Sequence, residues 1–83
     1  MFTPAATFTH ETAAKELVAG IAAIDSGQAA FTFSQTSHID SSAVVCMLAW
    51  KRHAQQRGTA LEFQDLPVNL THIIQLYGVA EFL

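Results

Sequence analysis

Residues 38–50 have the sequence HIDSSAVVCMLAW, in which a short polar group precedes eight consecutive apolar residues. Asp40 is a strong N-cap residue, because its carboxylate can accept hydrogen bonds from the unpaired backbone N–H groups of a first helical turn. Downstream, the segment that is compatible with a helix stops at Gly58, and glycine is the residue type that most often ends a helix in the left-handed conformation. The segment therefore predicts a helix that begins at Asp40 and ends at about Arg57.

Segments with strand and helix patterns flank this helix on both sides. The predicted elements are a weak strand at Ala6–Thr9, a helix at Glu11–Ile24, a strand at Ala30–Ser34, a strand at Thr59–Gln64 and a short helix from Asn69 to Tyr77 that Gly78 ends. Strands that alternate with helices indicate an α/β fold with crossover connections, in which helices cover one small sheet.

The first predicted helix carries an apolar stripe at helical spacing. The stripe comprises Ala14, Leu17, Val18, Ile21 and Ile24. The residues that lie off it are Lys15, Glu16 and Ala19. Gly20 lies inside the helix and is expected to weaken it slightly. The last predicted helix has a similar stripe, made of Leu70, Ile73, Ile74 and Tyr77.

The composition indicates one folded domain over residues 1–83. Hydrophobic residues make up 51% of the chain and charged residues 13%, a balance that argues against disorder and for a well-filled core. The net charge is −3, and only four residues are Lys or Arg. These cations are too few to form the basic surface that nucleic-acid binding requires, so nucleic acid is excluded as a partner.

The sequence predicts a cytoplasmic location. Cys46 is the only cysteine, which rules out an internal disulfide and fits a reducing compartment. The first cation is Lys15 and no apolar segment follows a charged start, so we expect no signal peptide. The longest apolar run, Ala43–Trp50, is far shorter than the roughly 20 residues that span a bilayer. Any membrane association is therefore expected to come through a partner.

The helix that follows Asp40 is apolar on all sides. Its natural core face comprises Val44, Met47, Leu48 and Ala54. The residues left on the other side or at its edges are Val45, Cys46, Ala49, Trp50 and His53. A chain of this size has no second layer to cover that side, so we expect it to bind a partner or to form a homodimer; the alternative is that these are scattered exposed apolar residues without a role. One continuous ridge is predicted from the helical spacing of Ser41, Val45, Ala49 and Arg52.

The start of the same helix offers a second candidate feature. Ser41 and Ser42 follow Asp40, where unpaired N–H groups and the positive end of the helix dipole favour negative charge. A phosphate on Ser41 would be stabilised there, although the neighbouring Asp40 offsets some of the gain. From these residues alone, a simple capped helix start and a phosphoacceptor site both remain open.

The stretch His38-Ile39-Asp40-Ser41-Ser42-Ala43-Val44 resembles the signature of STAS domains, in which a β-strand leads into Asp, then Ser or Thr, then an apolar helix. The likeness covers Phe31–Leu83, and Ile74–Val79 is similar to the end of the short helix in MlaB-type members. Ala43 stands where the family commonly has Gly. The resemblance implies an α/β fold with a STAS-type sheet of about four strands, helices packed against it, and a short N-terminal strand region.

An MlaB-type resemblance implies a docking subunit that is not an enzyme and that binds an MlaF-like ABC-transporter ATPase. Such a complex moves phospholipid between membranes and maintains outer-membrane lipid asymmetry, and the subunit is cytoplasmic and peripheral to the inner membrane through its partner. Ser41 then contacts the partner, with Asp40 and Ser42 beside it in the motif. The partner-binding face comprises Val45, Ala49, Trp50 and Arg52. In the alternative, an anti-sigma factor antagonist, a partner kinase phosphorylates Ser41 and controls binding to the anti-sigma factor.

No other motif indicates catalysis, a cofactor or a metal. The four histidines are His10, His38, His53 and His72, and no pair has the spacing of a metal site. Cys46 has no cation near it in sequence, and Ser41 is not part of a Gly-x-Ser-x-Gly motif. No glycine-rich phosphate loop is present. We therefore expect a binding module and no ATP hydrolysis by this chain.

Overall fold

The segment that follows Asp40 forms the longest helix of the protein. The computed structural model describes residues 1–83 and contains, in chain order, β1 (Thr7–Phe8), α1 (Ala13–Asp25), β2 (Ala30–Thr32), β3 (His38–Ile39), α2 (Ser42–Gln56), β4 (Glu62–Gln64), α3 (Val68–Tyr77) and a C-terminal 3₁₀ helix (Ala80–Phe82). The mixed α/β class and the three predicted helices are confirmed. Gly58 adopts a φ of 73° just beyond the end of α2, as the C-terminal signal predicted.

The strands do not form the single sheet of about four strands that the resemblance implied. They form two parallel sheets of two strands each, β1 with β3 and β2 with β4. The N-terminal segment runs along both sheets: Phe2 bridges Phe31, while the carbonyl of Ala6 accepts the N–H of His38 at 3.0 Å. Between these contacts lies Pro4, which has no N–H to donate, so the ladder is interrupted there.

A buried carboxylate fills part of this interruption. Oε1 of Glu16 accepts the backbone N–H of Ala5 at 3.1 Å, and Glu16 is only 6% exposed. The prediction that Glu16 lies off the buried face of α1 was therefore wrong. Two members of the predicted stripe, Ala14 and Val18, are exposed, whereas Ile24 is buried as expected. Helix α1 therefore turns a different side towards the core than the sequence predicted, a side that includes both Glu16 and Gly20.

The side chain of Trp50 occupies the centre of the core. It is 0% exposed, and its ring centroid lies 5.1 Å from that of Phe31 and 5.8 Å from that of Phe8. Its Nε1 donates to the carbonyl of Leu17 in α1 at 3.1 Å, which satisfies the one polar atom of the indole. The prediction that Trp50 belongs to a partner-binding face is therefore wrong. Cys46 is also buried, at 4% exposure, and not on an outer face.

Gly20 makes the position of Trp50 compatible with close packing of α1 against α2. A Cβ atom at residue 20 would lie 2.3 Å from the indole ring of Trp50, a separation that packed atoms do not tolerate. The glycine that was expected only to weaken α1 therefore provides the space that lets the two helices approach.

The third helix packs on the core through fewer residues than predicted. Leu70 and Ile74 are buried, as expected, while Tyr77 is 52% exposed and lies outside the core. The helix begins at Val68, directly after Pro67, and not at an Asn69 cap. Pro67 is the N-cap residue, with an extended backbone, and its carbonyl accepts the N–H of Thr71 at 3.0 Å.

Candidate docking surface on the second helix

The outer side of α2 lies opposite Trp50 and is open to solvent. Val45 is 63% exposed, and a shallow groove beside it is lined by Val45, Leu48, Ala49 and Arg52. Three members of the predicted ridge, Val45, Ala49 and Arg52, thus share this groove. Leu48 was predicted to be core, and it both packs against the core and lines the groove.

A second, wider groove continues from the first across the end of the chain. It has a volume of about 380 Å³ and shares Leu48 and Arg52 with the first groove. Its lining residues are Leu48, Lys51, Arg52, Gln55, Glu81 and Phe82. Glu81 and Phe82 were missed in the sequence, because residues 79–83 are too few to show a periodic pattern. We call the two grooves together the α2 surface.

The α2 surface contains cations in a chain whose net charge is −3. Helix α2 has no acidic residue, and two of the chain's four Lys and Arg residues lie on it. The ammonium of Lys51 donates to the carbonyl of Leu61 and lies 5.5 Å from the ring centroid of Phe63. Arg52 is exposed and takes part in none of the ion pairs of the protein. Its guanidinium is therefore free to bind an outside anion.

The C-terminal end of α2 is held to α1 by a separate ion-pair cluster. Oδ1 of Asp25 lies 2.8 Å from Nε2 of His53 and 3.3 Å from Nε of Arg57. The hydrogen bond from His53 is the main cause that lowers the pKa of Asp25. His53 is half-buried at the α1 contact, whereas the sequence placed it on the outer side of α2 or at its edges.

The carboxylate of Asp40 organises the start of α2. Its Oδ1 accepts the N–H of Ser42 at 2.8 Å, as predicted, although the N-cap residue of α2 is Ser41 and not Asp40. Its Oδ2 accepts the backbone N–H of His10 at 2.9 Å and lies 3.1 Å from Nδ1 of the same residue. The His10 backbone bond is the largest cause that holds the pKa of Asp40 far below its ordinary value of 3.8. The Ser41 hydroxyl makes no capping hydrogen bond, and Ser41 is half-buried.

These two carboxylates predict a loss of stability in acid. Because folding lowers the pKa of both Asp25 and Asp40, their contribution is present above the ordinary value of 3.8 and is lost as the pH falls through the folded values. We expect the midpoint of urea unfolding to fall below about pH 4. Asp40→Asn should be less stable than the wild type at pH 6, and the difference should shrink at pH 2–3. Parallel profiles of the two proteins down to pH 2 would show that Asp40 does not contribute in this way.

The histidines, the cysteine and the carboxylates are the side chains of the type that binds metal ions. No three His, Cys, Asp or Glu side chains are grouped in a way that could hold a metal ion. Sγ of Cys46 lies 3.7 Å from the carbonyl oxygen of Ala13. Burial, followed by the nearby charge of Glu16, raises the pKa of the Cys46 thiol, so it stays protonated at neutral pH.

Comparison with known proteins gives no family for this chain. No family model matches it, and neither a curated protein nor a solved structure matches it. None of the three helices has the combination of length and apolar character that crossing a membrane would need.

Proposed function

We propose that this chain is a non-catalytic STAS-type docking subunit that binds an MlaF-like ABC-transporter ATPase through the outer side of α2. In this role it is a cytoplasmic protein, peripheral to the inner membrane through its partner, in the phospholipid transport that maintains outer-membrane asymmetry. The observation that carries the proposal is an uncovered apolar and cationic surface on α2; Ser41, whose hydroxyl makes no capping bond, lies one helical turn before the first residue of that surface, Val45.

The local geometry around Asp40 supports this proposal. Strand β3 ends at Ile39, one residue before the capping Asp40, and α2 begins at Ser42. This is the order of strand, Asp-Ser and apolar helix on which the STAS resemblance rests. Since Trp50 and its neighbours commit the inner side of α2 to the core, the outer side remains for a partner.

One observation favours a second candidate, an anti-sigma factor antagonist. The partly exposed Ser41 lies at the helix start without a bonding partner in the helix. A phosphate there would meet the positive end of the α2 dipole, and the carboxylate of Asp40 beside it would oppose the charge. In that role, phosphorylation of Ser41 by a partner kinase controls binding to the anti-sigma factor.

Substitutions at Ser41 separate the two candidates. As a fixed contact with the ATPase, Ser41→Ala should weaken the complex by about 0.5–1.5 kcal/mol or more, since the hydrogen-bond partner of the lost hydroxyl is left unpaired. Ser41→Thr keeps the hydroxyl and should bind almost as well as the wild type. The measurement is the dissociation constant of each variant for the co-expressed, purified ATPase, obtained by calorimetry.

A phosphorylation switch gives the opposite pattern. Ser41→Ala then binds the partner permanently, Ser41→Asp abolishes binding, and the intact mass of protein from its own cells shows a phosphorylated fraction. That pattern would replace the docking proposal with the second candidate. Failure of the wild-type chain to bind the ATPase, without any phosphorylation, would refute both.

A further inference from the structure

The α2 surface combines an apolar floor with one unpaired cation, and this combination specifies the chemistry of its occupant. Val45, Leu48, Ala49 and Phe82 supply the apolar part, and Phe82 is 60% exposed. The exposed side chains of Phe82 and Val45 line the two adjoining grooves, and covering each would be favourable because it removes apolar area from water. The floor therefore favours an occupant with apolar side chains.

The charges on the same surface favour an acidic occupant. Lys51, Arg52 and Glu81 line the wider groove, so two cations and one carboxylate give it a net charge of +1, while the chain carries −3. Lys51 is already bound to the carbonyl of Leu61. Arg52 is left as the free donor, and its planar guanidinium suits a carboxylate because it can donate two parallel hydrogen bonds.

The arrangement of the floor along α2 favours a helical occupant. Val45 and Ala49 are four residues apart, and Arg52 is three residues further, so they form one row on the helix surface. Such rows pack into the grooves of a second helix, and the small side chain of Ala49 in the middle of the row lets that helix approach closely.

We infer that the partner presents an amphipathic helix whose apolar side chains cover Val45, Ala49 and Phe82 and whose carboxylate pairs with Arg52. The inference rests on the proposed docking function and names the chemistry of that partner. A second copy of this chain is a poorer occupant. Two copies would each have a net charge of −3, and a dimer through this surface would bring together two grooves that each have a net charge of +1, so both arrangements are repulsive.

The test uses the full chain and three synthetic helical peptides. Each peptide carries the same row of leucines, flanked by glutamates in the first, by glutamines in the second and by lysines in the third. Dissociation constants are measured by NMR titration of the labelled protein. We expect the glutamate peptide to bind at least about tenfold more tightly than the lysine peptide, less so at high salt. The amide signals of Val45, Ala49, Arg52 and Phe82 should move.

Charge reversal at Arg52 gives the decisive comparison. Arg52→Glu should lose the preference for the glutamate peptide or invert it. Lys15→Glu, which makes the same change in net charge on α1, should keep it. A preference that survives Arg52→Glu, signals that move only on α1 or α3, or a dimer in sedimentation velocity that blocks all three peptides would overturn the inference.

Failure of this inference is distinguishable from failure of the proposed function. An ATPase that co-purifies equally with the wild type and Arg52→Glu would refute the acidic helix and leave the docking function standing. An ATPase that never co-purifies, while the glutamate peptide binds in an Arg52-dependent way, would refute the ATPase as partner and support the acidic helix.

Discussion

Replacement of Trp50 by alanine is expected to lower the free energy of unfolding by about 3–5 kcal/mol, the range for removal of a buried large aromatic side chain. Trp50 contacts the aromatic rings of Phe2, Phe8, Phe31 and Phe63 and is fully buried. Its removal opens a cavity between α1 and the strands and leaves the carbonyl of Leu17 without the indole donor. For a chain of this length, whose total stability is of order 4–12 kcal/mol, the loss is a large fraction.

The measurement is urea unfolding followed by far-ultraviolet circular dichroism, because Trp50 is the only tryptophan and its fluorescence disappears with it. Val45→Ala in the same helix is the matched control, and it should change stability by no more than about 0.5 kcal/mol because Val45 is exposed. If Trp50→Ala were as mild as Val45→Ala, the inner side of α2 would have been assigned to the wrong residues.

A double-mutant cycle with Gly20 isolates the contact between the helices. Alanine is the better helix former by about 1 kcal/mol, so Gly20→Ala would stabilise an uncrowded helix. Next to Trp50 the added methyl overpacks the core, and we expect a net loss of about 1–2 kcal/mol. In the Trp50→Ala background the same substitution should turn stabilising. Equal effects in both backgrounds would mean that the indole and Gly20 are not in contact.

The helices of this protein could be predicted because their signals are local. Asp40 and Gly58 bracket α2, and Gly78, with a φ of 67°, ends α3 where the sequence indicated. Caps and periodic apolar residues act within a turn or two of the backbone, so they do not depend on the rest of the fold.

The sheets and the rotation of α2 could not be predicted in the same way. The strands are two or three residues long, and the N-terminal segment contacts one sheet through Phe2 and the other through Ala6, on either side of Pro4. An all-apolar helix has no polar side to fix its orientation, so the sequence placed Trp50 on the outer side or its edges, whereas the structure buries it completely. The orientation of Trp50 depends on the space that Gly20 leaves on the neighbouring helix α1. Only the packed structure contains that information.

Part of the candidate surface could be predicted from local sequence spacing, and part could not. Val45, Ala49 and Arg52 lie on one helix and follow from its spacing, whereas Glu81 and Phe82 reach the groove because the chain end folds back over α2. Glu16 shows the same limit for polar groups. Its burial is explained by the hydrogen bond that it accepts from the backbone N–H of Ala5, a donor that lies outside the helix and 11 residues earlier in the chain.

The largest expected effect on binding comes from Ala49→Glu. Ala49 lies in the middle of the α2 surface and would be desolvated by a docked helix. A carboxylate that the docked helix covers costs about 3–5 kcal/mol where it stays unpaired, which corresponds to a loss of affinity of more than about a hundredfold; pairing with Arg52 would instead take that cation from the partner. The fold should survive, because in the free protein the new side chain extends into the open groove and remains hydrated.

The measurement is the dissociation constant for the purified ATPase, together with the unfolding midpoint of each free variant. Ala14→Glu is the matched control, since it makes the same substitution at an exposed position of α1. It should leave both quantities nearly unchanged. A fall in stability of Ala49→Glu comparable to that of Trp50→Ala would place Ala49 in the core, and unchanged binding would move the docking site away from α2.

A second variant separates desolvation from competition for Arg52. In Ala49→Glu the new carboxylate lies three residues before Arg52, where it can pair with the guanidinium and displace the carboxylate of the partner. Ala49→Lys cannot form that pair, yet it places an equally large charged group under the docked helix. If closeness of the two helices controls binding, both variants should fail; if only the charge of Arg52 matters, Ala49→Lys should bind the acidic partner at least as well as the wild type.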